Sequence, residues 1–268
     1  MAATTRARRL AGTGGLIADR GQTATGSPLT SPPASPRRLA RIAGVLYLTV
    51  GVLAAWAHLV VRPTVQVAGD AAATAAAVAA NESLLRAAFT GDLVHLVSYA
   101  LLAMTLFMLL KHVNWYAAAA MMTFVAIAVA IMSVNMINHM AAVELATDAS
   151  YATALGADGA AALVVMFLQF HEVGFVIAEV FFGLWLLPLG YLAYRSGYFP
   201  RALGVLLAVG CFSYLALALT VPLFDGLAQP LADALALPPS IAEVWMVGYL
   251  LVRGVKVSRP DDRAAVAA

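Results

Sequence analysis

Six apolar stretches recur along the chain: Leu39–Val61, Leu85–Leu110, Tyr116–Met140, Ala161–Tyr194, Ala202–Phe224 and Ile241–Val257. A helix rises about 1.5 Å per residue and satisfies its own backbone, so about 20 such residues cross a hydrocarbon core of about 30 Å. The pattern predicts an all-α, polytopic membrane protein with six transmembrane helices and the lipid bilayer as its first partner. Composition agrees: 62% of residues are hydrophobic and 11% charged, where a soluble domain carries about 25% charged residues.

The basic residues set the expected orientation. All of the 16 Lys and Arg except Arg62 and Arg86 fall in the N-terminal segment, in alternate gaps (Lys111; Arg195 and Arg201) or at the C-terminal end. Positive charge is retained on the cytoplasmic side, which predicts a multi-pass protein of the plasma membrane with both termini cytoplasmic. The net charge of +2 is small, and no nucleic-acid partner is expected. The single cysteine, Cys211, excludes an intrachain disulfide.

Residues 1–38 are rich in Arg, Ser and Pro and lack an apolar period, which predicts a disordered cytoplasmic tail. Residues 39–257 form the expected six-helix transmembrane domain, and 258–268 a cytoplasmic C-terminal tail. Gly197 and Pro200 mark a helix stop, so the fourth and fifth helices are expected to form a tight antiparallel hairpin. The fourth stretch, Ala161–Tyr194, is long enough that it must tilt or project. Alanine-rich Gly69–Leu84 reads as a short helix at the outer surface. Ser240 and Glu243 have the spacing of a capping box, which places the start of the sixth helix there and removes Glu243 from the candidate chemistry.

The remaining polar residues inside the spans are His58, Asp92, His95, Asn135, His139, His171, Glu172 and Glu179. Counted inward from the ends of their helices, most lie in the outer part of four different spans. Glu179 lies about 10 Å deeper. Asp92 and His95 are three residues apart and Asn135 and His139 four, so each pair shares a helix face. An ionisable group in hydrocarbon costs about 2.5–3.5 kcal/mol on insertion scales, so such groups turn inward and pair. These eight residues are therefore expected to line one outward-facing polar pocket. Its expected pairs are Asp92 with His95, and His139 or His58 with Glu172. His171-Glu172 lacks a second His four residues on, so no zinc-protease helix is present. No other metal, cofactor or catalytic motif stands in the sequence.

Longer motifs carry a resemblance. They are Arg41-Ile42-Ala43-Gly44-Val45-Leu46-Tyr47-Leu48, Asn81-Glu82-Ser83-Leu84-Leu85-Arg86 with Asp92-Leu93, and Leu109-Leu110-Lys111-His112-Val113-Asn114. The longest is Leu189-Gly190-Tyr191-Leu192-Ala193-Tyr194-Arg195-Ser196-Gly197-Tyr198-Phe199-Pro200-Arg201-Ala202-Leu203-Gly204. From about Arg41 to Lys256 the chain resembles a bacterial integral-membrane family, domain of unknown function four-three-eight-six. The resemblance implies a six-helix bundle of the bacterial inner membrane and implies no reaction. Within it Arg86, Asp92, Asn135 and His171 occupy matching positions. Glu179 departs from it, standing where a leucine-like residue is usual, and so does the stretch near Met122, which lacks a common basic residue.

Three readings of function stand open. One is a small-solute or proton-coupled transporter, or binding protein, built on the polar pocket. Another is a membrane-embedded enzyme acting on a lipid-like substrate through a His/carboxylate pair. The third is a structural or accessory subunit. The ligand is accordingly a small molecule or a lipid; substrate and oligomeric state are beyond the sequence.

Overall fold

The computed structural model describes residues 35–220 and 229–256. The expected tail up to residue 34, the end of the fifth stretch from residue 221 and the C-terminal tail lie outside them.

Within the described residues the chain is helical. Helix α1 spans Pro36–Ala55 and continues through a π-helical turn, Trp56–Val61, into a 3₁₀ turn, Arg62–Thr64. Then follow α2 (Ala71–Ala80), α3 (Glu82–Leu110), α4 (Trp115–Thr147), α5 (Ala149–Leu155), α6 (Ala157–Leu184), α7 (Leu186–Ser196), α8 (Arg201–Thr220) and α9 (Gln229–Val252). Six helical segments are long and apolar enough to cross a membrane: Pro36–Thr64, Glu82–Leu110, Trp115–Thr147, Ala157–Ser196, Arg201–Thr220 and Pro230–Val252. The protein is a multi-pass membrane protein of the all-α class. Its outer wall agrees, with Val45, Val52, Leu59, Val97, Val134, Ile137 and Val244 all turned outward.

Local chemistry sets the helix ends. Ser35 accepts the Arg38 N–H at 3.3 Å, and Pro36 occupies the first helical position, where its missing N–H costs nothing. Helix α1 thus begins three residues before the expected boundary of the tail. Asn114 caps α4 by accepting the Ala117 N–H at 3.0 Å. Asp148, between spans, caps α5 by accepting the Ser150 N–H at 2.9 Å. That N–H, with the Ser150 hydroxyl, holds the Asp148 carboxyl below its ordinary range. Gly197, at φ 70°, ends α7 in the left-handed conformation.

The fourth span is not one straight helix. Pro188 has no N–H for the Leu184 carbonyl and its ring crowds that turn, so α6 stops at Leu184 and α7 restarts at Leu186. The sixth span also differs from expectation. Helix α9 runs through Pro238 and Pro239, with Ser240 inside it donating to the Ala236 carbonyl at 2.7 Å. Ser240 is therefore not a helix cap, and Glu243 needs another explanation.

Neighbouring spans follow one another around the bundle in the order α1, α3, α4, α6–α7, α8 and α9, closing back on α1. One large apolar cluster, with Tyr47, Tyr99, Leu106, Trp185, Leu189 and Leu207, fills the half where α1 begins. A smaller one, with Val61, Val65, Val78, Leu85 and Val164, roofs the other end.

The α7–α8 hairpin is held by backbone-to-backbone contact. A Cβ on Gly190 would stand 2.6 Å from the Gly204 carbonyl oxygen, and one on Gly204 would stand 2.7 Å from that of Gly190. Small residues allow such approach in membranes, where packing rather than hydrophobic expulsion drives association. Gly190→Ala is expected to destabilise the purified protein by about 1–3 kcal/mol, because backbone atoms have little room to yield. Thermal unfolding in detergent checks this, and an unchanged midpoint would show the contact to be slack.

Candidate functional site

The polar site lies between the two apolar clusters, in the half of the bundle where α1 ends. The π-helical turn and Pro63 shape it on α1. Pro63 cannot donate to the Leu59 carbonyl, and the chain rewinds over Trp56–Val61 before tightening at Arg62–Thr64. His58 and Arg62, four residues apart, both face inward from this segment.

Asp92 of α3 receives them. Arg62 Nη2 donates to Asp92 Oδ2 at 2.5 Å, and His58 Nε2 stands 3.8 Å from Asp92 Oδ1. The Arg62 and Asp92 side chains are 11% and 3% exposed, so this is an ion pair largely out of water. Removing one partner of such a pair strands the other charge.

Helices α4 and α6 supply the opposite wall through a reciprocal clasp. Asn135 Nδ2 donates to the His171 carbonyl at 2.8 Å, and His171 Nδ1 lies 3.3 Å from the Asn135 carbonyl. A carbonyl only accepts, so Nδ1 carries the proton, and a neutral His171 ring presents Nε2 as a bare lone pair. Asn138 Nδ2 donates to Asn135 Oδ1 at 3.0 Å and fixes the carboxamide. Gly174, one turn beyond His171, makes the clasp possible, because a Cβ there would overlap the Asn135 carboxamide. His139 donates from Nε2 to the Leu85 carbonyl at 3.0 Å, which ties α4 to α3.

The rings complete the cluster. His58 and His171 stack with centroids 6.2 Å apart, and His139 meets His171 edge-on at 5.7 Å. Five buried polar atoms here lack a hydrogen-bond partner: His58 Nε2, Arg62 Nε and Nη1, Asp92 Oδ1 and His171 Nε2. A cleft of about 240 Å³ is lined by His58, Arg62, Gln66, His171, Glu172 and Phe175, whose side chains carry four of these five atoms; Asp92 is not on its wall.

The eight candidates from the sequence divide. His58, Asp92, Asn135, His139 and His171 come together. His95 is buried but does not pair with Asp92; it faces Tyr99, with ring centroids 6.1 Å apart. Asp92 takes Arg62 instead, whose guanidinium reaches it from α1. Glu172 pairs with neither His58 nor His139. It stands exposed at the cleft rim and accepts from Gln66 Nε2 at 2.5 Å. Glu179 lies seven residues beyond Glu172, about 10 Å further along α6, and outside the cluster. Among the described residues no three His, Cys, Asp or Glu side chains are arranged to hold a metal ion.

Sequence reasoning missed Arg62 and Glu243. Arg62 served only as a marker of sidedness, yet a buried Asp92 needs a positive partner and only two basic residues lie on that side. Glu243 was assigned to a cap that α9 does not have. It lines a cavity in the other half of the bundle with Tyr47, Tyr99 and Tyr214.

A family profile described as "Domain of unknown function (DUF4386)" matches residues 42–254. The chain belongs to this family. The matched range takes in the first span from residue 42, the other five spans whole and every residue of the polar cluster. Comparison with curated proteins and with solved structures gives no match. The DUF4386 assignment names no reaction, so function has to be argued from the site.

Proposed function

We propose that this DUF4386 protein binds a small solute at the His58–Arg62–Asp92–His171 cluster and acts as a carrier or binding protein of the cell membrane. Both termini are cytoplasmic in this reading, which the Lys and Arg asymmetry supports, so the cleft opens at the outer surface. The observation that carries it is the set of four buried, unpartnered polar atoms on His58, Arg62 and His171 at one cleft, with a fifth on Asp92, which Arg62 holds. Buried polar groups are nearly always satisfied, and each exception costs free energy that a bound polar ligand would return.

The test is thermal unfolding of the purified full chain against a panel of small carboxylates, phosphates, amines and sugars. A ligand at about 100 times its Kd stabilises by about 2.7 kcal/mol through mass action. At least one solute is expected to raise the midpoint, and Arg62→Gln or His171→Ala is expected to remove that rise. A panel in which no shift depends on either residue would end the proposal.

One observation favours a second reading. The Asn135 carbonyl fixes the His171 tautomer, which is also how a general base is oriented. A membrane enzyme acting on a lipid-like substrate would use Nε2 to take a proton. Conversion of added lipid by the wild-type protein, absent in His171→Ala, would decide for it.

A further inference from the structure

A second cavity, of about 150 Å³, lies on the other side of Phe175 from the polar cleft, and that residue borders both. Its walls are largely aromatic: Tyr47 from α1, Tyr99 from α3, Phe182 from α6, Trp185 from the α6–α7 break and Tyr214 from α8, with His95 of α3 and small or aliphatic residues of α1 completing the lining. The rings stand at angles to one another rather than in a stack. Tyr99 meets Trp185 at 86° with centroids 5.4 Å apart, Tyr47 meets Trp185 at 60° and 5.6 Å, and Tyr99 meets Phe182 at 54° and 5.9 Å. Among these rings sits one carboxyl, Glu243 of α9. The Tyr47 hydroxyl, on a residue 3% exposed, is close to the Glu243 carboxyl and has no other hydrogen-bond partner. Tyr47 is 11 residues into α1 and Glu243 nine residues from the end of α9. At 1.5 Å per residue that is about 16 Å and about 14 Å, close to the middle of a bilayer.

Ring faces carry partial negative charge, and several of them around one carboxyl form a cage for a positive charge that has lost its water. Packing alone does not call for an acid there: a leucine would fill the space without an ionisable group to bury. We infer that the Tyr47–Tyr99–Phe182–Trp185–Tyr214–Glu243 cavity is a binding site for a small organic ammonium cation. The rings surround its alkyl groups and the Glu243 carboxylate supplies the counter-charge. The cavity volume admits a quaternary ammonium head and not a long substituent. Phe175 stands between this cage and the cleft that opens at Gln66 and Glu172. The inference goes beyond the solute binding proposed for the outer cluster and does not require it.

The experiment compares tetramethylammonium and choline with 3,3-dimethylbutanol, the uncharged isostere of choline, on the detergent-purified full chain. The readouts are thermal unfolding and calorimetric binding. The two cations are expected to raise the midpoint and the isostere is not. Glu243→Gln is expected to weaken cation binding about tenfold or more, by loss of the counter-charge. Should that variant fail to purify as a single species, Trp185→Phe replaces it, with a severalfold weakening expected from the poorer ring. Equal binding of choline and its isostere, or unchanged affinity in Glu243→Gln or Trp185→Phe, would overturn the inference. His171→Ala keeps the two sites apart without breaking the Arg62–Asp92 pair. Cation binding that survives His171→Ala and falls with Glu243→Gln supports the cage whatever becomes of the outer cluster. Cation binding lost only with His171→Ala refutes the cage.

Discussion

Asp92→Ala is expected to destabilise the bundle by about 3–5 kcal/mol, because it leaves the Arg62 guanidinium buried and uncompensated. Arg62 donates to Asp92 through Nη2, while its Nε and Nη1 already lack partners. After the substitution no acid among the described residues pairs with Arg62, since Glu172 is engaged by Gln66 at the rim. The double variant Arg62→Met with Asp92→Ala removes the stranded charge along with its partner and is expected to recover most of the loss. That recovery separates ion pairing from a simple cavity effect, which a second truncation would deepen. Chemical or thermal unfolding in detergent measures both. A double variant no more stable than Asp92→Ala would show that the pair is not the source of the effect.

Gly174→Ala is the second large effect. The added methyl group overlaps the Asn135 carboxamide, which is held on one side by the His171 carbonyl and on the other by Asn138. Asn135 is 4% exposed and cannot swing into water. It must give up both hydrogen bonds, and unmade buried bonds cost about 1–3 kcal/mol each. The expected loss is about 2–6 kcal/mol, together with release of the His171 ring from its fixed tautomer. Asn135→Ala with Gly174→Ala makes room for the methyl group and is expected to be more stable than Gly174→Ala alone. Imidazole resonances of His171 provide an independent readout, since a freed ring loses its single Nδ1–H signal. A Gly174→Ala protein with native stability and an unaltered His171 signal would refute the clasp.

The spans were legible in the sequence because burial in lipid demands an uninterrupted apolar length, and length is read directly from the residues. The Gly197 stop was legible for a similar reason, since few residues tolerate its backbone conformation. The Gly190–Gly204 contact lay in the longest family motif, but its reason appears only when two helices are brought together. Pairing partners were not legible. Asp92 and His95 share a helix face, which permits contact without compelling it, and an arginine on another helix offers full charge where a histidine offers a part of one. Glu243 was concealed by a motif that is valid only at a helix start. Two adjacent prolines suggest such a start, but in α9 they pass through the helix interior, where Gly210 of α8 leaves room for Pro239. Neither error touches the architecture, because patterning fixes which residues leave water and says little about which of them meet.

The wide turn at Trp56–Val61 has a consequence for how the site tolerates change. A π-helical turn holds one residue more than an α-helical turn, so everything after it is rotated by about 100° from where an unbroken α-helix would carry it. Arg62 owes its aim at Asp92 to that surplus residue. Tightening of that turn to α-helical geometry at an unchanged residue count would keep the span long, apolar and fit to insert, yet would swing the guanidinium away from the carboxylate. Recognition at this site therefore depends on how one short segment is wound, a property that hydropathy alone cannot register.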